Sequence, residues 1–321
     1  MSLVSVQEAQ LQRLGAHLLT ENILRNYEMA PEEAAKIRQA EDWLDAVNEF
    51  FILGEQQKGA ILPWQKTKDL IRIRPAELSI WAGPNGSGKS LLTSQAILGL
   101  IRQGQKACIA SLEMRPLQTM VRMVRQGVGG ESPNEEWVDK FARAIGDRLW
   151  IYDQIGTVDA RKMLAVMRYA REKLECDHFV IDSLMKCGLG VDDYNGQKKF
   201  IDQLSTYAKD SGLHIHLVCH SRKRQSEKEM MDKNDVKGAG EITDMADNVF
   251  TLWRNKPKEK NERAGKEKDA TAPDAVMVCD KQRNGDWEGD IAFWFLPGCQ
   301  QFVGKQTTQP MDMLEFPYGG R

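Results

Sequence analysis

The 321-residue sequence has no Cys-x-x-Cys pair and no appreciable net charge, since 44 Lys+Arg stand against 46 Asp+Glu, a formal −2 at pH 7. Nor does any apolar run approach the roughly 18 to 20 residues that a membrane-spanning helix needs. Each absence closes off a class. Six widely spread cysteines (Cys108, Cys176, Cys187, Cys219, Cys279, Cys299) fit neither a disulfide framework nor a structural zinc site, and point to a reducing, cytoplasmic setting. Without a basic-then-apolar N-terminal stretch or a spanning segment, no membrane partner is expected. Charge balance excludes a surface that binds nucleic acid all over, while leaving room for a local basic loop. What is present is an ordinary globular composition, 41% hydrophobic and 28% charged. The length allows one large domain or two small ones, with a core that needs no disulfide staples.

The first 53 residues read as helical, in two amphipathic stretches separated at Pro31, where a first-turn proline is tolerated. In the second, Ala34, Ile37, Ala40, Leu44, Val47 and Phe51 recur every three or four residues. One face of a 31–53 helix is therefore apolar and needs cover, from its own domain or from another subunit. Segment 1–60 is expected as a helical linker, 61–305 as the main domain and 306–321 as a C-terminal tail. From about residue 76 the texture changes. Short apolar runs at 78–82, 107–112, 179–181 and 214–219 read as buried strands, and 91–102 and 200–209 as helices. Such alternation predicts an α/β fold, a mostly parallel sheet with helices on both faces. The polar stretches 221–238 and 254–272 read as exposed loops.

Gly83-Pro84-Asn85-Gly86-Ser87-Gly88-Lys89-Ser90, followed by Leu91, lies between an expected strand and an expected helix, the context that a Walker A phosphate loop requires. Its glycines let backbone N–H groups turn toward phosphate oxygens. The helix N-terminus adds a favourable dipole, Lys89 a charge for the β- and γ-phosphates, and Ser90 a ligand for Mg²⁺. ATP or another nucleoside triphosphate with Mg²⁺ is the implied ligand. His178-Phe179-Val180-Ile181-Asp182 ends in the acid that a Walker B strand supplies to the metal. Hydrolysis also needs a carboxylate that orients and deprotonates water, from a strand beside the phosphate loop, and Glu113 ends the next strand in sequence. A glutamate stabilised by the following helix dipole is the plainer reading of Glu113. His220 ends the strand after Walker B, where a γ-phosphate sensor would stand; a satisfied buried histidine is its rival.

Ser111-Leu112-Glu113-Met114, after a strand and before a helix at 117–126, resembles the signature of DnaB/Twinkle-type replicative helicases of the RecA-like superfamily, and Lys281-Gln282-Arg283-Asn284-Gly285 resembles a second segment of that family. With the Walker motifs these run in the family's order, and a histidine at position 220 is similar to the helicase half of phage or prophage primase–helicases. The resemblance implies a RecA-like core with Glu113 as catalytic carboxylate. It also implies Arg283, with Lys281 as companion, reaching into the neighbouring subunit's ATP site as an arginine finger, an element to which a factor of roughly 10³ to 10⁵ is attributed. A hairpin turn at Asn284-Gly285 carrying solvated cations is compatible with that role. Arg254 would stack on the base, with Phe295 opposing it.

The 221–238 segment holds Arg222, Lys223, Arg224, Lys233, Lys237 and Gly238 and has a net +2 charge by its own count. It resembles the loop that lines the family's central channel and grips single-stranded DNA through its phosphates. A solvated surface loop is the other reading. The implied function is an ATP-driven helicase acting as a homo-oligomer, a hexameric ring, with a primase or loader as further partners and the 31–53 helix docked on the adjacent subunit. A recombinase-type filament that holds single-stranded DNA is an alternative on the same core, and a small-molecule kinase a more distant one.

Overall fold

A computed structural model describes residues 38–53, 59–190, 192–221, 233–235, 240–265, 269, 271–307 and 309–314. The chain divides into two compact units, Met1–Gln57 and Lys58–Arg321. In the first, a 3-10 turn (Ala40–Trp43) leads into helix α1 (Leu44–Leu53). The expected 31–53 helix is thus interrupted at residues 40–43, and its part before residue 38 lies outside the described residues. The reason is local: the Asp42 carboxylate accepts the Gln39 N–H at 3.2 Å, a helix-start contact. Of the apolar positions expected from periodicity, Leu44, Val47 and Phe51 lie on α1, with Leu44 56% and Phe51 75% exposed, while Ala34 and Ile37 lie outside the described residues.

The second unit opens with an antiparallel pair, β1 (Ala60–Ile61) and β2 (Arg72–Ile73). Its main run continues through β3 (Leu78–Gly83), α2 (Lys89–Ile101), β4 (Ala107–Ser111), α3 (Pro116–Val128), α4 (Glu135–Ile145), β5 (Leu149–Ile151), α5 (Ala160–Glu172) and β6 (His178–Asp182). There follow α6 (Tyr194–Ser211), β7 (His214–His220), α7 (Gly240–Met245), β8 (Asn248–Arg254), α8 (Lys256–Arg263), β9 (Ala275–Gln282), β10 (Gly289–Leu296) and β11 (Gln301–Val303). The sheet order is β11-β10-β9-β8-β3-β7-β6-β4-β5. From β8 to β5 all pairs are parallel, and β9, β10 and β11 add antiparallel strands at one edge. The mostly parallel sheet expected from strand and helix alternation is therefore present.

Successive strand residues feed opposite cores, as the two-residue period requires. Trp81 and Val180 pack with Ile97, Met123 and Phe141 on one face. Ile80, Phe179 and Ile181 pack with Met163, Met167 and Leu204 on the other. Helix α6 starts earlier than expected because the Asp193 carboxylate accepts the Gly196 N–H at 2.9 Å, and it stops at Gly212 in the left-handed region.

Three sequence expectations change. The 254–272 stretch is not all loop: Asn255 accepts the Lys258 N–H at 3.1 Å and Pro257 sits in the first turn, so α8 forms despite its polar composition. Lys258 is buried, with Nζ 2.7 Å from both the Ala272 carbonyl and Asp274 Oδ1. Asn284-Gly285 does not form a two-residue hairpin turn, because β9 and β10 pair as Cys279 with Gly289, leaving a longer connection, and Gly285 does not adopt positive φ. Finally, residues up to 314 pack on the core rather than trailing from it. Gln301 exchanges hydrogen bonds with Met311 at 2.7 and 2.9 Å, and Met313 and Leu314 are buried. Among the described residues, no helix is long and apolar enough to cross a membrane.

The α3–α4 contact tests this packing. A Cβ on Gly127 would lie 2.5 Å from the ring of buried Phe141. Gly→Ala inside a free helix stabilises by about 0.8 to 1 kcal/mol, whereas overpacking costs about 1 to 3 kcal/mol. Gly127→Ala is therefore expected to lower the denaturant midpoint; a raised midpoint at unchanged m-value would refute this contact.

Candidate nucleotide site

Strand β3 ends at Gly83 and α2 begins at Lys89, so the Walker A segment is the connecting turn. Two of its glycines are required sterically. A Cβ on Gly83 would lie 2.6 Å from the Leu252 carbonyl, and one on Gly88 (φ +97°) 2.9 Å from the Phe302 ring. Inside the turn, Lys89 Nζ donates to the Gly83 and Pro84 carbonyls at 2.8 and 2.9 Å. Burial lowers the Lys89 ammonium to about 8, against the opposing pull of Asp182, Cys219 and Glu113.

The other groups arrive on separate strands whose C-terminal ends share one edge of the sheet, where open α/β sheets bind ligands. His220 ends β7, level with Gly83 on β3. Asp182 ends β6, one strand further, with the Ser90 hydroxyl near enough to favour its ionised form. Burial raises its carboxyl, while Ser90 and the Arg122 and Lys89 cations work the other way and Glu113 adds to the rise. The expectation that Glu113 comes from a strand beside the phosphate loop is corrected: β7 and β6 stand between β3 and β4. Glu113 nevertheless reaches the site, because the Leu112 N–H bonds the Asp182 carbonyl at 2.8 Å and holds the segment after β4 against the end of β6.

Glu113 Oε1 accepts from Ser183 Oγ at 2.7 Å and lies 3.4 Å from His220 Nε2. Burial opposes its ionisation, but these two contacts bring its carboxyl below the usual range. Burial and the Lys89 charge hold His220 below the ordinary imidazole value, although Glu113 pulls it up, so a neutral ring is favoured. Lys89, Asp182, Glu113, His220 and Arg254 line one cleft of about 850 Å³.

Two contributors escaped the sequence reading. Ser183 orients Glu113, and Arg122 of α3 lies half-buried in the same cleft, its Nη2 3.2 Å from Met114 Sδ. Nothing local distinguishes Arg122 from Arg115 and Arg125 beside it in sequence; only the docking of α3 selects it. Arg254 ends β8 and donates to the Gly86 carbonyl at 2.9 Å while pairing with Glu259. With Phe295 it lines a second cavity of about 570 Å³ beside Gly88.

Lys281 and Arg283 stand elsewhere. Gln282 on β9 is level with Asn248 on β8, which is level with Ser79 on β3. The pair therefore sits toward the opposite end of the sheet from Gly83, with Gln282 between them offset by roughly 13 Å along the strand direction at about 3.3 Å per residue. Lys281 Nζ donates to the Thr243 and Asp244 carbonyls at 3.0 and 2.8 Å, and Arg283 Nη2 to the Asp244 carbonyl at 2.9 Å. Of the loop cations, Lys233 is exposed in a 3-10 turn (Lys233–Asp235). Arg222, Lys223, Arg224, Lys237 and Gly238 lie outside the described residues.

The residues present fit a magnesium nucleotide. Among the described residues no group of His, Cys, Asp and Glu is arranged to cage a metal by itself, but Mg²⁺ asks for only one or two protein oxygens beside phosphates and water, which Ser90 and Asp182 supply. Ser87 Oγ, buried in the loop, lacks a protein partner.

A strand–loop–helix with a buried lysine, an acid on a strand two places away and a second carboxylate in the same cleft define a P-loop nucleotide-binding protein. Residues 70–304 match the DnaB-like helicase C terminal domain, and the chain belongs to that family. The chain is 26% identical over 207 residues to a DNA helicase/primase of Enterobacteria phage T3, in a match that covers 57% of this chain; it spans only 36% of that relative's length. Among solved structures, one ATPase domain is similar with a TM-score of 0.67 at 15% identity, covering 84% of this chain and 99% of that one. A DnaB-like replicative helicase, described with its interactions with primase, gives 0.66 at 14% identity, covering 93% and 77%. These likenesses establish the RecA-like fold.

The Lys89 shift has a testable sign. A phosphate ligand favours the ammonium and raises its pKa on binding, so affinity is complete below the free value of about 8 and falls above it. A non-hydrolysable ATP analogue should bind progressively more weakly above about pH 8, with the slope abolished in Lys89→Ala. Equal slopes in the two proteins would count against a buried lysine as the cause.

Proposed function

We propose that this chain is the motor of a replicative DNA helicase that hydrolyses ATP at the interfaces of a ring. The observation that carries the reading is a division of the site's parts: Lys89, Ser90, Asp182, Glu113 and His220 meet at one end of the sheet, while Lys281 and Arg283 are fixed at the other. Such an arrangement can complete a neighbour's site, and repeated head to tail it gives a ring where the rotation between subunits closes.

In the proposed reaction water attacks the γ-phosphate in line with the departing diphosphate. Glu113, held by Ser183, orients the water and takes its proton. Lys89 binds the β- and γ-phosphate oxygens. Ser90 and Asp182 would hold Mg²⁺, which would supply charge neutralisation to the phosphates. Arg283 of the next subunit, with Lys281 beside it, stabilises the charge that develops as the phosphoryl leaves. His220, between Gly83 and Glu113, reports the γ-phosphate to the 221–238 segment that follows it. Arg254 and Phe295 bracket the base in the cavity beside Gly88. Arg222, Lys223, Arg224, Lys233, Lys237 and Gly238 grip single-stranded DNA by its phosphates, which carries no base readout. The apolar seam of α1 docks on an adjacent subunit, and a primase or loader completes the assembly.

Steady-state ATPase with and without single-stranded DNA, alongside the mass in solution at the same concentration, tests this reading; stimulation by DNA in a ring-sized assembly is expected, and an unstimulated monomer would overturn it. Glu113→Gln should lose about 10² to 10⁴ in turnover with nucleotide binding retained. Mixing Arg283→Ala with Lys89→Ala subunits should restore activity that neither shows alone, because some interfaces then pair a sound phosphate loop with a sound finger.

A further inference from the structure

The base of the sheet carries a buried polar cluster that the proposed reaction does not use. Glu77, 3% exposed, immediately precedes β3. Its Oε1 accepts from Asn284 Nδ2 at 2.8 Å and its Oε2 from Asn248 Nδ2 at 2.8 Å, while Arg74 stands 3.8 Å away. Asp247, also 3% exposed, accepts the Leu78 N–H at 2.9 Å through Oδ2 and faces Arg283 Nε at 3.4 Å through Oδ1. The Asp247 carbonyl receives the Arg283 N–H at 2.7 Å. The backbone of Arg283 is thus held by Asp247 and its side chain by Asp247 together with the Asp244 carbonyl, and the next residue in the chain, Asn284, is tied to Glu77.

Burying two carboxylates in so small a region is costly unless each oxygen is satisfied. Here the partners are the first residues of β3 and β8 on one side and Arg283 and Asn284 on the other. Arg283 keeps 42% of its side chain exposed. A solvated arginine on a long side chain samples many rotamers, and a transition-state contact requires one of them; anchoring Nε and the backbone removes that freedom in advance. We infer that Asp247, Glu77 and Asn284 are positioning residues that hold the Lys281-to-Arg283 segment in the geometry the neighbouring subunit's nucleotide site requires. This rests on the trans reading of Arg283 proposed for the motor.

The test is subunit mixing with small changes. Asp247→Asn keeps an acceptor for Leu78 but loses the charge facing Arg283, and Asn284→Ala cuts only the tie to Glu77, on an exposed residue whose loss leaves the core in place. Each homogeneous variant should hydrolyse ATP about tenfold or more slowly in the presence of single-stranded DNA, with affinity for a non-hydrolysable ATP analogue within about twofold of the parent and a cooperative melt that is lowered by the lost buried contact yet still lies above the assay temperature. The lesion should lie in trans. Mixed with Lys89→Ala subunits, which supply sound fingers, either variant should exceed the sum of the separate rates; mixed with Arg283→Ala it should not. Parent-like rates in both variants, or no gain with Lys89→Ala while Arg283→Ala gains with it, would overturn the inference. No gain in the Arg283→Ala and Lys89→Ala pair would remove the trans reading and this inference with it.

Discussion

A lysine only 6% exposed inside a protein is a demand on everything around it. Taking such a charge out of water costs several kcal/mol unless anions and carbonyls replace the solvent. Lys89 has two loop carbonyls within 2.9 Å and the fields of Asp182 and Glu113. Those carboxylates are in turn partly buried, and each is compensated by its own hydroxyl, Ser90 for Asp182 and Ser183 for Glu113. Despite these partners, burial still lowers Lys89 and raises Asp182. A polyphosphate with its cation is the chemistry that would offset both, since it brings negative charge to Lys89 and positive charge to Asp182 together.

That demand also accounts for the sheet order. The groups come from well-separated sequence segments, from Gly83 through Asp182 to His220, and only parallel strands can bring many C-terminal ends to one edge. The same strands need firm registration lower down. There, a buried chain runs from Trp81 Nε1 to His216 Nδ1 at 3.2 Å and from His216 Nε2 to His178 Nδ1 at 3.2 Å, with His178 bonded on to Gln105. Burial holds His178 and His216 well below the usual imidazole value, so each ring is neutral and can donate from one nitrogen while accepting at the other. The chain links β3, β7 and β6, the strands that end at Gly83, His220 and Asp182.

What the sequence made legible follows from how local each signal is. The phosphate loop could be read because its residue types, spacing and strand–helix context lie close together in the chain. Asp182 and His220 could be placed because each ends an apolar run. The strand neighbours of β4 could not, since sheet order is a long-range property that no local pattern encodes. Ser183 and Arg122 were missed for a related reason: a serine after an aspartate and an arginine on an amphipathic helix acquire meaning only when α3 and the end of β6 meet. Helix α8 is hidden by its polar composition, because what starts it is the Asn255 cap and Pro257 rather than an apolar face. The tie from Glu77 to Asn284 joins residues 207 positions apart, beyond any reading of motifs.

The two ends of β3 impose opposite requirements on one strand. At Gly83 the backbone must turn without a side chain, because the Leu252 carbonyl leaves no room for a Cβ. At Leu78 the N–H is taken by Asp247, the residue that also faces Arg283. A fully hydrogen-bonded strand flanked on both sides by parallel neighbours is among the least deformable elements available to a protein. A displacement at the phosphate loop is therefore passed on more readily as a rigid movement of the strand than absorbed within it. The phosphate loop and the Asp247 contact that faces Arg283 thus share one strand, and its register sets the spacing between them.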